Sequence, residues 1–362
     1  MERQKSPLVK SRKAEVSKVN VKVAAMKKGP TLRDLAEHLR LTKGTISAVL
    51  NNSAAAKSIP QRTKDLIFRT AQEFNYQPNF FARTLVKKRT YTVGVVAEEI
   101  GDAYGAMIID GIEAALSERE YFFWTVAHRH RSQKLRQYLS MLEARGVEGF
   151  ITVDTILSES SRLPIVAVPG HRQLPDVINI VLDHQMAAEL ALKHLHDLGH
   201  RRIACIRGQR FSSDSSVRWE SICNGAAKLK MQIPAELTVQ LLTSDSSPQE
   251  GYGIAKGLLE RARDFTALFA YNDVSAIGAI RAIREAGLRV PEDISVVGFD
   301  DIREAAYHVP SLTTVRQPLR KMGEIAAQIL IERIEGRRNH LTDVAITPEL
   351  VVRESTCSVQ QT

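Results

Sequence analysis

The alternation of short apolar runs with helical stretches from residue 91 onward most constrains what this chain can fold into. Tyr91 to Val96 is a β-branched run typical of a buried parallel strand, and a helical stretch follows from about Gly105 to Arg119. Further strand-like runs start near residues 122, 149, 164, 202, 267 and 294. This spacing predicts an α/β fold with a doubly wound sheet, and roughly 270 residues suffice for two such sheets, so we expect a two-lobed body.

Polar side chains follow several predicted strands, at the edge where open α/β sheets bind ligands. They are Asp102, Tyr104, His171, Arg172, Asn272, Asp273, Asp300 and Asp301. Asp and Arg suit polyol ligands because they form charge-assisted hydrogen bonds to hydroxyl groups, while Tyr104, Trp219 and Phe299 offer apolar walls. Alternatively, Asp273 and Asp301 cap helices and Trp219 only packs in the core, and for these three residues we favour that alternative.

Residues 30 to 75 have the pattern of three short amphipathic helices. Thr31 and Asp34 predict the start of the first helix, and Thr42 predicts the start of a second after a tight turn. The outward face of the second helix carries Lys43, Gly44, Ser47 and Ala48. The third helix follows Pro60 and is expected to bury Leu66, Ile67, Ala71 and Phe74. Two short helices joined by a tight turn form the helix-turn-helix pattern, whose second helix reads the major groove of DNA.

Positive charge is concentrated at one end of the chain. Residues 1–90 contain 20 Lys/Arg and 6 Asp/Glu, whereas residues 91–362 contain 30 and 35. A basic first quarter predicts contact with a polyanion. A solvated tail is the alternative, and residues 1–29, Lys-rich and without a steady apolar period, fit a disordered extension. The case for DNA binding therefore depends on the helices that follow.

The chain resembles the LacI/GalR (lactose-repressor) family of bacterial regulators over nearly everything after residue 30. In the first quarter, the matching segments are TLRDLAEHLRLTKGTISAVLNN from Thr31, NYQPNFFARTL from Asn75 and RTYTVGVV from Arg89. Later segments are LGHRRIACI, AYNDVSAIGAIRAIREAGLRVPEDISVVGFDD and SLTTVRQP. The resemblance implies a three-helix head, a hinge helix over residues 79–86, and a body like that of periplasmic sugar-binding proteins, with a small ligand between two lobes.

The resemblance also implies roles for individual residues. Leu85 matches the residue that wedges into the minor groove, a role that favours kinked DNA; a core position is the alternative, and the basic run at residues 87–89 favours the wedge. The DNA-binding residues implied by helix pattern and resemblance together are Thr31, Thr42, Lys43, Gly44, Thr45, Ser47, Asn51, Tyr76, Asn79, Ala82, Arg83 and Leu85. The effector-binding residues are Asp102, Tyr104, Arg172, Arg218, Asn272 and Asp300.

Two features depart from the family pattern, and one assignment depends on the register of the match. Ala48 stands where the family commonly has Arg or His, so a base contact is lost, and residues 52–58 contain about three extra residues. Arg218 is assigned with Ser221 in a glycine position of the family; a register through Gly225 would place Ile222 at the arginine position. The pair Arg172 and Arg218 leans slightly towards an acidic or phosphorylated sugar.

Signals of catalysis, metal binding and membrane insertion are missing from the sequence. No G-x-G-x-x-G follows the first strand, and neither G-x-x-x-x-G-K-[ST] nor G-x-S-x-G occurs. The residues His194, His196 and His200 surround a helix end and suggest capping or packing, and the three cysteines have no metal-ligand spacing. No run approaches the roughly 18 apolar residues of a membrane span, and the basic N-terminus lacks a signal-peptide core. We expect no enzyme activity, no cofactor and a cytoplasmic location.

These features predict a sequence-specific regulator of transcription, and we expect it to act as a repressor. It is predicted to bind a pseudo-palindromic operator in double-stranded DNA as a homodimer and to respond to a small sugar-like effector in the cleft between the lobes. The predicted domains are an extension at 1–29, a helix-turn-helix domain at 30–77, a hinge and linker at 78–90, and an effector-binding and dimerisation domain at 91–362. Lobe 1 is expected at about 91–184 plus 318–345, and lobe 2 at about 185–317 plus 346–362. The alternatives are a non-specific architectural DNA-binding protein and a transport-type solute-binding protein.

Overall fold

The computed structural model describes residues 29–77, 84, 88–170, 173–242, 247–338, 340 and 342–359. The chain divides into two compact units, with the boundary between Arg89 and Thr90. Nearly all of the predicted basic extension and most of the predicted hinge helix lie outside the described residues. The first unit is called the head and the second the body.

The helices of the head begin where the sequence predicts caps. They are α1 (Leu32–Leu39), α2 (Lys43–Leu50) and α3 (Gln61–Glu73). At the start of α1, the backbone N–H of Thr31 donates to the Asp34 carboxylate at 2.7 Å, which completes a capping box. The Thr42 hydroxyl accepts from the backbone N–H of Thr45 at 3.1 Å and starts α2. Arg40, at a φ of 54°, ends α1 in the left-handed conformation that the tight turn requires.

The head is held together by a small apolar core. Its fully buried members include Leu35, Ile46 and Ile67, one from each helix. A 3-10 helix at Ala54–Ser58 occupies the connection between α2 and α3, and its Ala56 joins the same core. The longer connection noted in the sequence therefore contributes to packing.

Two predicted positions in the head differ from the structure. Leu66 is 45% exposed, so its predicted burial is wrong; it precedes the buried Ile67 by one residue, and a helix turns about 100° per residue. Ala48 was expected to face outward, but it is half-buried and packs against the head's core.

The body contains two six-stranded sheets, as the two-lobed prediction requires. The first sheet is parallel throughout, in the order β11-β5-β4-β3-β1-β2. Its strands are β1 (Thr92–Ala97), β2 (Phe122–Ala127), β3 (Phe150–Val153), β4 (Ile165–Val168), β5 (Val177–Leu182) and β11 (Val344–Ile346). The second sheet has the order β12-β10-β9-β8-β6-β7, and β12 pairs antiparallel to β10. Its strands are β6 (Ile203–Arg207), β7 (Thr238–Gln240), β8 (Ala267–Phe269), β9 (Ser295–Asp300), β10 (Thr313–Arg316) and β12 (Glu349–Val351).

Helices connect the strands of each sheet, which defines the doubly wound architecture. They are α4 (Ala103–Glu118), α5 (Ser132–Ala144), α6 (His184–Asp197), α7 (Ser213–Lys228), α8 (Pro248–Arg261), α9 (Asp273–Glu285), α10 (Arg303–Tyr307) and α11 (Leu319–Ile334). The chain passes between the sheets three times, after β5, after β10 and after β11. Three crossings tie the two lobes together and leave a cleft between them.

Glycine allows close helix packing in the first lobe, where α4 and α11 pack together. A Cβ at Gly111 of α4 would lie 1.9 Å from the carbonyl oxygen of Arg320, and one at Gly323 of α11 would lie 2.1 Å from that of Ile108. Neither distance is possible for non-bonded atoms, so both positions require the absence of a side chain.

Candidate functional site

The exposed surface of α2 is the first candidate site. Thr42, Lys43 and Gly44 are exposed, while Thr45 and Ser47 are half-buried on the same helix. The hydroxyls of Thr42 and Thr45 lie 2.9 Å apart. The structure therefore brings five of the predicted DNA-binding residues onto one helix, with one cation and three hydroxyl groups.

The other predicted DNA-binding residues are more dispersed. The exposed Thr31 donates from its hydroxyl to Asp34 at 2.7 Å, so its side chain is engaged in the helix cap. The Asn51 amide donates to the backbone carbonyl of Ser47 at 2.9 Å. Tyr76 packs against the core of the head, and burial raises the pKa of its phenol. Four predicted residues lie outside the described part of the chain: Asn79, Ala82, Arg83 and Leu85.

The second candidate site is a cleft between the two sheets of the body, with an empty volume of about 820 Å³. Its walls come from the segments after β1, β2 and β3 of the first sheet and after β6, β8 and β9 of the second. Five of the six predicted effector-binding residues line it: Asp102, Tyr104, Arg218, Asn272 and Asp300. The sixth, Arg172, and its neighbour His171 lie outside the described residues.

Arg218 is the most constrained cation of the cleft. It is 3% exposed and extends from α7. Its guanidinium donates to the Asp214 carboxylate at 3.0 Å and to the backbone carbonyl of Tyr271 at 2.6 Å. The same group lies 4.4 Å from the ring centre of Tyr271 and 3.7 Å from that of Phe299. Two hydrogen bonds and two aromatic faces fix the arginine in one position.

Asp300 ends β9 and lies at the base of the cleft. It is 4% exposed and accepts a hydrogen bond from the Gln317 amide at 2.7 Å. Burial raises the pKa of its carboxyl well above the usual range, although nearby Arg218 opposes this shift. Its φ of 114° lies in the region that favours glycine, which is the kind of backbone strain found at functional sites.

Two further predicted residues combine a helix cap with a place in the cleft. Asp102 accepts from the backbone N–H of Gly105 at 2.9 Å at the start of α4. Asn272 accepts from the N–H of Ser275 at 2.9 Å at the start of α9. Tyr104, in the first turn of α4, also lines the cleft, and its buried hydroxyl has no hydrogen-bond partner among the described residues. Burial raises the pKa of this phenol well above its ordinary value.

Sequence reasoning missed an acidic wall on the first lobe. Glu98 follows β1 and Asp154 follows β3, and both line the cleft with their carboxyl groups hydrogen-bonded to each other. Burial raises the pKa of Glu98 to about 9 and that of Asp154 to about 7. The Nδ1 atom of His130 contacts the Glu98 carboxyl, and the ring centre of His130 lies 4.2 Å from that of Phe211 on the second lobe. The rule that polar residues follow strand ends also applies to Glu98 and Asp154.

Two aspartates do not have the capping role favoured from the sequence. Asp273 accepts from the Thr314 hydroxyl at 2.5 Å and from the backbone N–H of Ile302 at 2.9 Å, while its neighbour Asn272 caps α9. Asp301 pairs with Arg316 at 2.7 Å and with Arg353 at 2.6 Å. Both join segments of the second lobe to one another, because a carboxylate accepts several donors at once.

The two predicted aromatic walls beyond Tyr104 do not line the cleft. The indole of Trp219 lies under the guanidinium of Arg207, 4.5 Å away, and packs against the core, in line with the packing alternative. Phe299 is fully buried beneath Arg218, so it supports the arginine from below.

The histidines at the end of α6 are structural. The two ring nitrogens of His200 lie 2.8 Å from the Thr266 hydroxyl and 3.1 Å from the Cys357 carbonyl. Among the described residues, no group of three or more His, Cys, Asp or Glu side chains is placed to hold a metal ion. No helix in the described ranges has both the length and the apolar character needed to cross a membrane.

Known proteins resemble this chain over most of its length. A family model described as a periplasmic binding protein-like domain matches residues 192–356. The HTH-type transcriptional repressor PurR of Haemophilus influenzae is 32% identical over 343 residues, which cover 91% of this chain and 99% of that repressor. The PurR repressor of Klebsiella pneumoniae is 30% identical, with coverage of 90% and 96%.

Solved structures give the same result. The lac repressor dimer bound to operator and the anti-inducer ONPF matches with a TM-score of 0.82 and 26% identity, covering 91% of this chain and 100% of that one. A complex of the transcriptional regulator CelR with cellobiose matches with a TM-score of 0.67 and 28% identity, covering 90% and 99%. Head and body are thus found together in known regulators.

Proposed function

We propose a mechanism for this chain, which belongs to the LacI/GalR family of bacterial transcriptional regulators. The chain is a DNA-binding repressor that acts as a dimer on operator DNA and is switched by a small molecule bound in its periplasmic-binding-protein-like body. The observation that carries this conclusion is the presence, in one chain, of a helix-turn-helix head and a polar cleft between two lobes.

We propose that α2 enters the major groove and reads bases through Lys43, Thr45 and Ser47. The exposure of its first turn and the hydroxyl groups along it support this role, since hydroxyl and ammonium groups reach base edges and phosphates. Ala48 contributes a methyl group and no hydrogen bond, so the half-site differs from that of relatives with Arg or His at this position.

We propose that Arg218, Asp300, Asn272 and Tyr104 bind the effector. Their side chains converge on one cleft and offer charged and neutral hydrogen-bonding groups beside aromatic rings, a combination suited to polyols. A ligand that touches both lobes favours one angle between them. It changes operator affinity by the ratio of its affinities for the two lobe arrangements.

The hinge proposal concerns residues 79–86, whose Leu85 lies outside the described part of the chain. We expect Leu85→Ala to weaken operator binding strongly. An apolar side chain inserted between base pairs stabilises the kinked DNA with its opened minor groove, and alanine is too short to do so. Calorimetry with an effector should show unchanged affinity in the variant. Equal operator affinity of variant and wild type, measured by fluorescence anisotropy, would reject the hinge assignment.

We also propose that the cleft binds its ligand without transforming it, and that the protein works in the cytoplasm, where the bacterial chromosome lies. The repressor relatives support both statements.

The test of the regulator function is selection of random duplex DNA by the full-length protein at physiological salt. We expect recovery of a pseudo-palindrome, because a two-fold symmetric dimer presents two identical heads. A flexible pyrimidine–purine step at its centre would agree with the wedge. Binding without a recovered motif, lost steeply as salt rises and unchanged by added sugars, would instead identify an architectural DNA-binding protein.

A further inference from the structure

We propose that the effector is a polyhydroxylated compound that carries a positively charged nitrogen, such as an amino sugar or aminopolyol, and that its nitrogen lies at the carboxylates of Asp154 and Asp300. The proposal rests on the proposed function in one respect, namely that this cleft is the effector site. The new element is the positive charge of the ligand, because the fold alone does not determine whether the effector is neutral, acidic or basic.

The charge of the cleft is the first argument. Its described lining contains six carboxyl groups and two basic side chains. The acidic residues come from both lobes and are Glu98, Glu99, Asp102, Asp154, Asp214 and Asp300. The basic residues are His130 and Arg218. This excess of acidic over basic groups in the described lining favours a cationic ligand over a phosphate or carboxylate, because a bound cation lowers the raised pKa values of Glu98, Asp154 and Asp300 and lets these groups ionise.

Both basic side chains are already paired within the protein. Arg218 pairs with Asp214 at 3.0 Å, and both side chains are about 95% buried. His130 pairs with Glu98. Each of these basic groups is therefore already paired with an acidic group of the protein, so an anionic ligand meets no uncompensated positive charge among the described residues of the cleft.

Asp154 and Asp300 form no ion pair with any described residue. Asp154 shares a hydrogen bond with Glu98, and Asp300 accepts from the uncharged amide of Gln317. Burial, with smaller contributions from neighbouring carboxylates, raises the pKa of each although Arg218 partly opposes the shift, so the charged forms are only partly compensated in the ligand-free cleft. A ligand ammonium supplies that compensation, through charge-assisted hydrogen bonds that a neutral hydroxyl cannot match.

Two buried donors indicate that the rest of the ligand carries hydroxyl groups. The Tyr104 hydroxyl and the Nε–H of the 97%-buried Arg218 side chain have no hydrogen-bond partner among the described residues, and both residues line the cleft. Unsatisfied buried donors are rare in native proteins, so a bound molecule that accepts from them is expected to be part of the functional state.

The experiment compares matched ligands by calorimetry on the full-length protein at pH 7. The probes share one ring: D-glucosamine, N-acetyl-D-glucosamine, D-glucose and D-glucose 6-phosphate. A second set on a cyclitol ring contains an inosamine and myo-inositol. We expect the ammonium compound of at least one set to bind at least tenfold more tightly than its neutral partners, and the phosphate to bind most weakly. Absence of binding by both amines, or equal or tighter binding of a neutral or phosphorylated partner, overturns the proposal.

A matched pair of variants locates the nitrogen. Asp154→Asn removes one charge with little change of shape and should abolish the preference for the amine. Asp110→Asn makes the same change on the outer surface of α4, where Asp110 pairs with Arg320 at 3.2 Å, and should leave the preference intact. A preference that survives in Asp154→Asn overturns the assignment to this residue.

Failure of the proposed function gives a different result. A protein that selects no operator is not the regulator described above, whatever it binds in the cleft. A protein that selects an operator, and releases or tightens on it only with neutral or anionic sugars, keeps its proposed function and contradicts the charge assignment alone.

Discussion

Asp300 combines an unfavourable backbone conformation with a buried carboxyl group, whose pKa is raised well above its usual range. Non-glycine residues at a φ of 114° are sparse, and such strain costs on the order of 1–3 kcal/mol. The side chain is 4% exposed, and among the described residues Gln317 holds it at 2.7 Å. A position that is costly in both respects persists when the carboxylate is required in place, which supports its role as a ligand contact.

We expect Asp300→Asn to raise the effector concentration for half-maximal response at least tenfold, because a hydrogen bond to a charged group contributes about 1.5–3 kcal/mol. Operator affinity without effector should remain that of the wild type, since the head is untouched. Anisotropy of a labelled operator, titrated with effector, measures both. An unchanged half-maximal concentration would show that the cleft residue is misassigned; Asp110→Asn serves as the control.

The paired carboxyls of Glu98 and Asp154 predict a pH dependence of stability. Burial raises the pKa of Glu98 to about 9 and that of Asp154 to about 7, with further contributions from Asp154 on Glu98 and from Asp214 on Asp154, so the folded protein holds protons that the unfolded chain loses near pH 4. The stabilisation they provide is therefore complete below about pH 4, decreases as the pH rises, and is gone above about pH 7 for Asp154 and about pH 9 for Glu98. The loss amounts to at most about 1.4 kcal/mol per pH unit for each proton.

We expect the melting temperature of the ligand-free protein to fall between pH 6 and pH 9, and Asp154→Asn to reduce that fall. Differential scanning calorimetry at four pH values compares the two. Parallel curves for variant and wild type would mean that the pair does not titrate in this range.

At the scale of single residues, one sequence rule accounted for much of the cleft. The positions after predicted strands included Asp102, Asn272 and Asp300, which line it. The same rule applied to Glu98 and Asp154, but their pairing depends on the adjacency of β1 and β3 in the sheet. Tertiary structure determines both that adjacency and the stacking of Arg218 on Phe299, and the residues neighbouring them in sequence indicate neither.

At the scale of elements, the helices of the head and seven of the twelve strands of the body were predicted, and the other five strands were missed. The caps at Thr31 and Thr42 were predicted from residue type. Five strands were not predicted: β5, β7, β10, β11 and β12. Strands β7, β11 and β12 have three residues each, which is too few to show a period. The apolar run of β5 and the short β10 were overlooked. The close packing of α4 against α11 at Gly111 and Gly323 could not be predicted from the sequence either, because 200 residues of chain separate the two helices.

We expect Gly111→Ala to destabilise the body by about 1–3 kcal/mol, because its Cβ would lie 1.9 Å from the Arg320 carbonyl oxygen and the helices must separate. Gly253→Ala is the matched control, since no atom lies within 4 Å of its Cβ position on α8. The control should be neutral or stabilising by up to about 1 kcal/mol, as alanine favours helix. Urea unfolding measures both, and equal midpoints for the two variants would contradict the packing argument.

At the scale of the whole molecule, chain length predicted two lobes, and the order of strands explains how they act together. The three crossings mean that neither lobe is a separate segment of the chain. A change of angle between the lobes therefore bends three connections together, which suits a switch between two discrete arrangements. From the sequence, Arg172 and Arg218 leaned towards an acidic or phosphorylated sugar, and the proposal of a cationic ligand departs from this because the pairing of Arg218 with Asp214 appears only in the folded body.

The dimer requires an interface, and the exposed apolar side chains of β2 indicate where part of it lies. β2 is an edge strand of the first sheet, and alternate residues Phe122 and Trp124 are 58% and 49% exposed, with ring centres 5.4 Å apart. An apolar pair on an edge strand invites pairing with another chain unless it is covered. We propose that the second subunit covers it.

Trp124→Glu should therefore raise the dimer dissociation constant at least tenfold, because burying an unpaired carboxylate in place of an indole opposes association. Operator binding should weaken in parallel. In the dimer, binding of one head raises the effective concentration of the other at its half-site, and separate subunits lose this gain in affinity. Val352→Glu is the control: Val352 is 58% exposed on the second lobe, so the same charge should not disturb this interface. Sedimentation equilibrium gives the dissociation constants. A Trp124→Glu protein that remains as dimeric as the control would place the interface elsewhere on the body, while leaving the cleft and its ligand unaffected.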